Sequence, residues 1–388
     1  MKLTSRERVL KALNHEATDR VPIDIGGIHN LSSLHLDAYK KLQAYLGRDE
    51  EVQLSSILSQ TAFIDEYTRT RFKSDCYPLF LRPEEIGYDI IDGDDGSTHY
   101  IDEWGVKWRC AKGAPYYDAV GHPLNNCTLE DIKNFNWPDP NDGKRWSHFK
   151  KKAQWLYEET DYAIVINGPL YGGVYVPCQW LMGFEYFFIK MMTEPELIEA
   201  ILEKIVAYHI GQWKILLEEV GEYAQVVVLS DDLGTETAPL MDKSLYRKLI
   251  KPAQEKVVKF IKSKADVKIV YHCDGAVSEF IEDFIEIGID AWNPVQVSAD
   301  GLDDTKELKR MYGDRLTFWG ATCESQSILS KKTVEEVRAE VERRVDDLAE
   351  NGGLILASIH NIKRDVPVEN IVAFYDALYE FGVAYYQK

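Results

Sequence analysis

Four consecutive residues in the chain carry groups that can bind a metal, move a proton or turn the backbone. They are His272, Cys273, Asp274 and Gly275. An apolar, β-rich run precedes them at residues 267–271, which is typical of a buried parallel strand. Because α/β folds place their chemistry at the carboxyl ends of such strands, this stretch indicates a metal site or an acid–base site. The alternative is a buried, hydrogen-bonded histidine beside a tight turn.

The same pairing of an apolar run with polar residues recurs along the chain. If the strand ends meet at one mouth, they bring together His29, Asn167, Asp231, Asp232, His272, Asp274, Asn293, Gln296, Cys323 and His360. Imidazoles, carboxylates and a thiol can hold a borderline-soft divalent metal such as zinc, with one position open for a substrate atom. Each residue alone is equally compatible with a hydrogen-bonded loop position.

Two smaller features add candidates for the same mouth. Asp231 and Asp232 are adjacent, so we expect one to face the pocket and the other to cap the following turn, rather than to share a proton. Substrate contacts are expected from His29, Asn167, Tyr171, Trp292, Asn293 and Gln296. A third set either lines an apolar pocket or packs in the core, and it contains Trp180, Phe184, Tyr186, Phe187 and Phe188.

The elements that must position these side chains repeat in the order strand, polar end, helix. Strands are predicted at residues 20–27, 77–81, 162–166, 225–229, 267–271, 291–296, 316–319 and 354–357. Helical patterns separate them, as at residues 195–219, 243–262 and 368–381. This order indicates βα units of the α/β class, and eight such units close into a (β/α)8 TIM barrel. An open doubly wound sheet is the alternative, although no G-x-G-x-x-G turn follows any predicted strand.

The segment from residue 30 to 160 departs from this rhythm. Helices are predicted at residues 36–46 and 64–72. Residues 99–109 alternate in polarity and turn at Gly105, which predicts a β-hairpin. We interpret residues 1–388 as a single domain whose N-terminal region is elaborated by insertions within residues 30–160.

The composition narrows the classes of partner. The 388-residue chain has a formal net charge of -19 and no basic block that could track a phosphate backbone, so no nucleic acid is expected. Residues 1–10 lack the apolar core of a signal peptide, and no stretch approaches the roughly 18 apolar residues of a membrane span. The six cysteines are scattered, which suits reduced thiols. We therefore expect a cytoplasmic protein that binds no membrane, and a homodimer is among its expected forms.

Eight short motifs occur in order along the chain. They are SRERVLKALNH at residues 5–15, DRVP at 19–22, SDDLGT at 230–235, YHCDG at 271–275, NPVQ at 293–296, FWG at 318–320, HN at 360–361 and VPVENI at 366–371. In this order they resemble the uroporphyrinogen decarboxylase superfamily, and within it the corrinoid-dependent methyltransferase branch. Each motif alone is weakly specific, whereas the ordered set is strongly specific. The resemblance implies a (β/α)8 barrel with its site at the mouth.

The resemblance also implies which branch fits. Decarboxylases of the superfamily are similar in an arginine-bearing segment after the first strand, which receives porphyrinogen carboxylates; here residues 26–30 are GGIHN. Methyltransferases such as methylcobamide:coenzyme M methyltransferase are similar in a zinc-binding His-x-Cys motif and a later cysteine. His272 matches that histidine, Asp274 stands at the first cysteine, and the later cysteine position falls near His360. Cys323 is an alternate ligand, and Cys273 is expected to face away.

This departure from the thiolate pattern favours an enzyme that takes the methyl group from its donor over one that passes the methyl group to a thiol. A His/Asp/His set is harder than a thiolate set and better suited to polarise an ether oxygen than to activate a thiol. We therefore expect a methyltransferase of the O-demethylase kind, which moves a methyl group from a small, methoxylated donor to the cobalt of a corrinoid protein. Its expected cofactors are zinc and the partner's corrinoid. Its expected catalytic residues are Asp231, Asp232 and His272.

Three alternatives stay open from the sequence. A metal-free, decarboxylase-like lyase would act on a tetrapyrrole or another carboxylate, with Asp231 protonating the substrate. A methylcobamide:thiol methyltransferase would use a thiol acceptor. A non-catalytic scaffold would dock a corrinoid protein without transferring a methyl group.

Overall fold

A seven-stranded parallel sheet forms the centre of the molecule. The computed structural model describes residues 2–169 and 172–387. The strands are β1 (Cys76–Leu79), β2 (Ala163–Asn167), β3 (Val226–Ser230), β4 (Lys268–His272), β5 (Ala291–Asn293), β6 (Thr317–Trp319) and β7 (Leu354–Ile355). Each strand pairs in parallel with the next one along the chain. The predicted βα units are confirmed, because parallel neighbours in sequence order require a crossover between each pair.

Residues 21–25 close the curled sheet between its two edge strands. Ile23 forms a parallel bridge with Leu356, next to β7, and Asp24 N–H donates to Leu356 O at 2.8 Å. On the other side, Asp75 N–H donates to Ile23 O at 2.7 Å, directly before β1. The segment therefore takes the eighth strand position, and the fold is the predicted (β/α)8 barrel.

Helices surround the barrel and also belong to its N-terminal elaboration. Their bounds are Ser5–Leu13, Leu36–Tyr45, Glu66–Arg71, Pro83–Ile86, Leu129–Asn134, Phe149–Glu159, Tyr175–Met182, Phe184–Thr193, Pro195–Val220, Lys243–Leu245, Lys251–Lys264, Ile281–Ile287, Thr305–Tyr312, Ile328–Lys331, Val334–Leu348 and Val368–Tyr385. Short 3₁₀ turns lie at Lys144–Trp146 and Ser278–Phe280. Among the described helices, none has the length and apolar character that crossing a membrane requires.

The helix predicted at residues 243–262 is interrupted by a wider turn. A π-helical stretch at Tyr246–Ile250 joins its two parts. Pro252 follows immediately and has no N–H to donate to the turn before it, so the regular hydrogen-bond ladder cannot continue there. The sequence indicated the helix but not this local widening.

The strands are apolar on both faces because two cores flank them. Val228 and Val270 point into the barrel and pack with Trp319. Their neighbours Val227 and Ile269 belong to the larger core that includes the surrounding helices. This alternation is the period-two geometry of a strand covered on both sides.

A four-stranded antiparallel sheet lies outside the barrel within the predicted insertion region. Its strands are Ile91–Asp92, Thr98–Ile101, Lys107–Cys110 and Asp118–Gly121, and a separate pair is formed by Leu54–Ser56 and Thr61–Ala62. The predicted hairpin is confirmed, with Gly105 at a φ of 78° in its turn. The Asp102 carboxylate fixes this turn by accepting hydrogen bonds from Trp104 N–H at 2.9 Å and Trp108 Nε1 at 2.6 Å.

Candidate active site

A cavity of about 290 Å³ opens at the carboxyl ends of the barrel strands. The lining residues at or just after those strand ends form what we call the floor of the cavity. They include Asn167, Val228, Ser230, Asp232, His272 and His360. The other lining residues form what we call the walls. They include His29, Ile57, Leu58, Phe80, Leu81, Pro83, Ile86, Tyr88, Tyr100, Val176 and Trp180. The floor is mainly polar and the walls are mainly apolar, so the cavity can hold a small organic molecule with one polar end on the floor.

Three floor side chains converge tightly enough to share an ion. His272, Asp274 and His360 each bring one ligand atom, and these atoms lie within 4.8 Å of one another. Asp274 Oδ2 is 3.6 Å from His272 Nε2 and 3.7 Å from His360 Nε2. Two ligands bonded at about 2.1 Å to a tetrahedral zinc ion stand roughly 3.4 Å apart, so both the donor types and the spacing fit that ion.

The backbone places the three ligands by different means. His272 ends β4, and Asp274 follows it by two residues. Gly275 then turns the chain at a φ of 92°, where a side chain would collide with the backbone of Gly234. His360 lies beyond β7 and holds a left-handed φ of 62°, which is uncommon for a residue with a side chain. Strained positions of this kind concentrate at functional sites.

Asn293 determines which nitrogen of His272 faces the cavity. Its Nδ2 donates to Trp319 O at 2.8 Å, so its Oδ1 is left as an acceptor. That oxygen lies 2.7 Å from His272 Nδ1 and accepts the proton there. The neutral ring therefore keeps its lone pair on Nε2, beside Asp274, which is the tautomer that a metal ligand needs. We predicted a substrate contact for Asn293, but its amide is engaged by these two partners.

Neighbouring charges shift the pKa values of the site residues. Burial lowers the pKa of His272, but the charge and hydrogen bonding of Asp274, aided by Asp232, raise it to about 9 overall. Burial raises the pKa of Asp274, but the charges of His272 and His360 lower it to about 2 overall. Burial and the charge of Asp274 both raise the pKa of Asp232. The carboxylates thus favour positive charge beside His272, whether a proton or a metal cation supplies it.

The two adjacent carboxylates occupy different environments. Asp232 lines the cavity, and its Oδ1 is 3.7 Å from His272 Nε2. Asp231 is fully buried and accepts hydrogen bonds from the backbone N–H groups of residues 174–176 at 3.0, 2.8 and 2.9 Å. As predicted, one carboxylate faces the pocket. The other holds the start of the helix Tyr175–Met182 instead of the turn that follows it.

His29 and Asn167 both lie at the cavity. The His29 ring stacks on Phe80 with centroids 4.5 Å apart, and burial lowers its pKa to about 4, which keeps it neutral near pH 7. Asn167 Nδ2 donates to Gly27 O at 2.9 Å, and its Oδ1 accepts from His29 N–H at 3.1 Å. The hydrogen-bonding groups of Asn167 therefore hold the loop that follows the closing segment at residues 21–25.

Trp292 and Gln296 lie beneath the loop that carries Asp274, outside the cavity lining. Trp292 is buried and donates from Nε1 to Cys273 O at 3.1 Å. Gln296 Oε1 accepts from Gly275 N–H at 2.9 Å. Both side chains therefore support the 273–275 backbone rather than face a donor in the cavity.

The cysteines stand apart from the group of ligand atoms found in the described part of the chain. Cys273 packs in the outer core, where its Sγ accepts from Leu233 N–H at 3.4 Å, so it faces away as expected. Cys323 is buried and its thiol contacts Glu324 O at 3.7 Å. Burial, with the charge of Glu340, raises the pKa of that thiol, so it is a poor source of thiolate. Tyr171 lies outside the described residues.

Most wall residues were not singled out by the sequence. Tyr88 and Tyr100 stack with ring centroids 4.7 Å apart, and both face the cavity. The alternation in the hairpin predicted a strand around Tyr100 but not which face would meet the cavity. Of the aromatic residues proposed for a pocket, Trp180 lines it, whereas Phe187 is buried in the core and Phe184 is exposed.

Comparison with solved structures finds a strong similarity of fold and weaker ones. A structure described as a methyltransferase from Methanosarcina mazei has a TM-score of 0.63 at 17% identity and covers 98% of this chain and 99% of that chain. A putative vitamin-B12 independent methionine synthase from Listeria monocytogenes has a TM-score of 0.35 at 14% identity, covering 62% of this chain and 69% of that chain. A comparison with curated proteins finds no significant match.

The family assignment comes from the sequence itself. Residues 105–381 match the family model described as uroporphyrinogen decarboxylase (URO-D). The matched range contains β2 to β7 and all three members of the ligand group. It covers well over half of the 388 residues. The chain therefore belongs to the uroporphyrinogen decarboxylase family.

Proposed function

We propose that the protein is a methyltransferase that moves a methyl group from the oxygen of a small methoxylated compound to the cobalt of a corrinoid on a partner protein. The observation that carries this proposal is the group His272, Asp274 and His360 at the floor of a mainly apolar cavity. The fold similarity to a structure described as a methyltransferase supports the choice of reaction class.

Zinc is the proposed ion of this site. His272, Asp274 and His360 would hold it through two nitrogens and one oxygen, which leaves a position open toward the cavity. When bound, zinc supplies a Lewis acid that draws charge from the oxygen from which the methyl group leaves.

The chain's own residues prepare the site for this chemistry. Asn293 holds the His272 ring so that Nε2 points at the ligand group. Asp232 faces the cavity beside that nitrogen, where its carboxylate orients the donor or passes a proton to the leaving oxygen. We propose Asp231 as a positioning residue, because its carboxylate is occupied by backbone N–H groups.

The lining weighs against two of the alternatives. None of the described residues that line the cavity is a lysine or an arginine, so the several carboxylates of a tetrapyrrole would find no arginine or lysine partner there. The ligand group contains no thiolate among the described residues, whereas a soft thiol acceptor suits a thiolate-rich zinc site.

A methyl-transfer assay with metal analysis tests the proposal. The protein would be mixed with cob(I)alamin, or with a corrinoid protein, and a panel of methoxyaromatic and methylamine donors, and methylcobalamin would be followed by absorbance. We expect transfer from methoxylated donors and about one zinc per chain. The His272→Ala variant should show neither methyl transfer nor bound zinc.

His148→Ala provides a matched control. This histidine pairs with Glu85 in the elaboration and lies outside the cavity lining, so its loss should leave zinc content and transfer unchanged. Absence of zinc from the wild type, or full transfer by His272→Ala, would contradict the metal site. Absence of methylcobalamin with every donor and both acceptors would contradict the methyl transfer.

A further inference from the structure

The charge of the cavity lining restricts which donors can enter. Among the described residues that line it, the charged or titratable groups other than tyrosine are His29, Asp232, His272 and His360. Two neighbouring cations are engaged outside the lining: the Arg82 guanidinium lies 5.3 Å from the Phe63 ring centroid, and Arg69 donates to Ile25 O at 3.0 Å. A negatively charged substituent in this cavity would therefore meet Asp232 and, in the described lining, neither a lysine nor an arginine.

The shape of the walls points to a flat, uncharged molecule. Two stacked pairs present ring surfaces, His29 with Phe80 and Tyr88 with Tyr100. The Tyr88 hydroxyl donates to Glu103 at 2.6 Å, so this ring offers the cavity its apolar body. A volume of about 290 Å³ lies at the lower end of the range for small-molecule sites, which suits one ring and not a tetrapyrrole.

From these observations, and resting on the proposed function, we infer that the donor is an uncharged, single-ring methoxyarene and that the cavity rejects rings carrying a carboxylate. An ionised carboxylate loses its hydration on entering a mainly apolar cavity, and the described lining contains no lysine or arginine that would compensate for this loss. The ring stacks against the aromatic walls, and the ether oxygen meets the ligand group on the floor.

A positively charged methyl donor is the competing class. Aromatic walls beside Asp232 can attract a quaternary ammonium group. However, a methylammonium donor releases a neutral amine, which has no developing negative charge for a metal to stabilise. A metal held by His272, Asp274 and His360 would stabilise the charge that develops on an oxygen leaving group, so the proposed ion favours the ether.

Direct binding measurements test the inference without any corrinoid. The zinc-loaded protein would be titrated by calorimetry at pH 7.5 with methoxybenzene, 4-methoxybenzoate and (4-methoxyphenyl)trimethylammonium, which share one ring and differ in charge. We expect methoxybenzene to bind at least about tenfold more tightly than either charged compound, because a charged substituent loses hydration that a mainly apolar cavity replaces only in part.

A charge placed in the wall should reverse this preference. Ile86 lines the cavity near the end of the helix Pro83–Ile86. Ile86→Arg should raise the affinity for 4-methoxybenzoate at least about tenfold, since it supplies the missing cation. Ile90→Arg makes the same charge change at a position that is 48% exposed and outside the lining, so it should leave the preference unchanged.

The outcomes separate this inference from the proposed function. Equal or tighter binding of the carboxylate or the ammonium compound, or no binding of any of the three rings, overturns the inference. A preference unaltered in a folded Ile86→Arg variant overturns its electrostatic cause. Selective binding of methoxybenzene without methyl transfer supports the inference about the cavity and contradicts the proposed reaction instead.

Discussion

The Asn293 amide is bound at both ends, and this arrangement orients His272 in the candidate site. Its Nδ2 is tied to Trp319 O, and its Oδ1 can only accept the His272 Nδ1 proton. A proton on the other ring nitrogen would occupy the lone pair that the ligand group requires. Outer partners of this kind commonly set both the tautomer and the affinity of a metal-binding histidine.

Replacing this amide should weaken metal binding in a folded protein. Asn293→Leu keeps the approximate volume but removes the acceptor, so we expect the zinc affinity to fall by about 10–100-fold in competition with a chromophoric chelator. Asn370→Leu is the matched control, because Asn370 also bonds two backbone carbonyls but lies far from the site, near Leu329 and Lys332. Wild-type zinc affinity in Asn293→Leu would refute this role.

Residue types at the strand ends predicted which side chains converge at the cavity floor, but the hydrogen-bond partners of their neighbours were less accessible. His272, Asp274 and His360 were named because imidazoles and carboxylates end predicted strands, and the structure brings them together. Asn293 was expected to touch substrate. Its actual partner is one strand away in space and 21 residues away in sequence, so no local pattern could assign it.

At the scale of elements, Asp231 connects the end of β3 to the helix Tyr175–Met182. Its carboxylate takes three backbone N–H groups at the start of that helix and a further bond from Gln254 Nε2 at 3.1 Å. These N–H groups are buried with it and would otherwise lack an intrahelical acceptor. The same helix carries Val176 and Trp180 in the cavity wall, so its anchoring affects the shape of the site.

Asp231→Ala should lower the stability of the fold but have little effect on zinc affinity. Leaving buried N–H groups unpaired costs about 1–3 kcal/mol, and we expect a loss of that size in the free energy of unfolding measured with urea. Zinc affinity should stay within about threefold of the wild type, since no ligand is removed. Asp131→Ala, which removes the capping-box partner of Thr128 at the exposed start of the helix Leu129–Asn134, should cost less than Asp231→Ala. Loss of zinc with unchanged stability would contradict this assignment.

The long helix Pro195–Val220 contains a histidine that makes the fold sensitive to acid. His209 is 1% exposed, and burial lowers its pKa to about 4, which the backbone of Gly173 only partly offsets. The unfolded chain takes up a proton near pH 6.5, whereas the folded chain does so only near pH 4. Stability is therefore present above pH 6.5 and is lost as the pH falls toward 4.

His209→Phe should remove this part of the pH dependence. Each unit below 6.5 costs the wild type about 1.4 kcal/mol through this group. The difference in unfolding free energy between variant and wild type should therefore shift by about 2 kcal/mol in favour of the variant between pH 7.5 and pH 5. Urea unfolding at both pH values measures it. A difference that does not change with pH would show that another group is responsible.

At the scale of the whole molecule, Asp75 joins the closing segment at residues 21–25 to the start of β1. It is fully buried, accepts Arg8 at 2.6 Å and Arg20 at 2.7 Å, and also accepts Ile23 N–H at 2.8 Å. Its backbone N–H completes the link to Ile23 O. One side chain thus combines the charge balance of two arginines with the hydrogen bonding that closes the barrel.

Asp75→Asn should therefore cause a large loss in the free energy of unfolding. Removing one partner from a buried ionic cluster leaves charges uncompensated, which costs about 3–5 kcal/mol. Asp376→Asn offers a matched comparison, because Asp376 pairs with Arg71 at 2.6 Å but is 40% exposed, and its loss should cost below about 1 kcal/mol. Chemical denaturation of both variants measures the contrast, and equal losses would contradict the importance assigned to burial.

All eight strand positions of the barrel were predictable, because strands buried on both faces leave a strong apolar pattern between polar ends. The closing segment at residues 21–25 was included for this reason, although it pairs through single bridges. The cavity walls were not predictable in the same way. Tyr88, Tyr100 and Ile57 reach the cavity through turns and short strands of the elaboration, whose placement depends on contacts distant in sequence.

The division of the cavity between two layers has a consequence for how relatives of this protein can diversify. The candidate ligand group lies on loops of the barrel, whereas much of the surrounding cavity lining is supplied by the turns and strands between residues 54 and 101. Substitutions in those turns and strands can alter which compounds the cavity binds while the ligand group stays unchanged. The selectivity of the cavity and the composition of the ligand group can therefore evolve separately among relatives that share this fold.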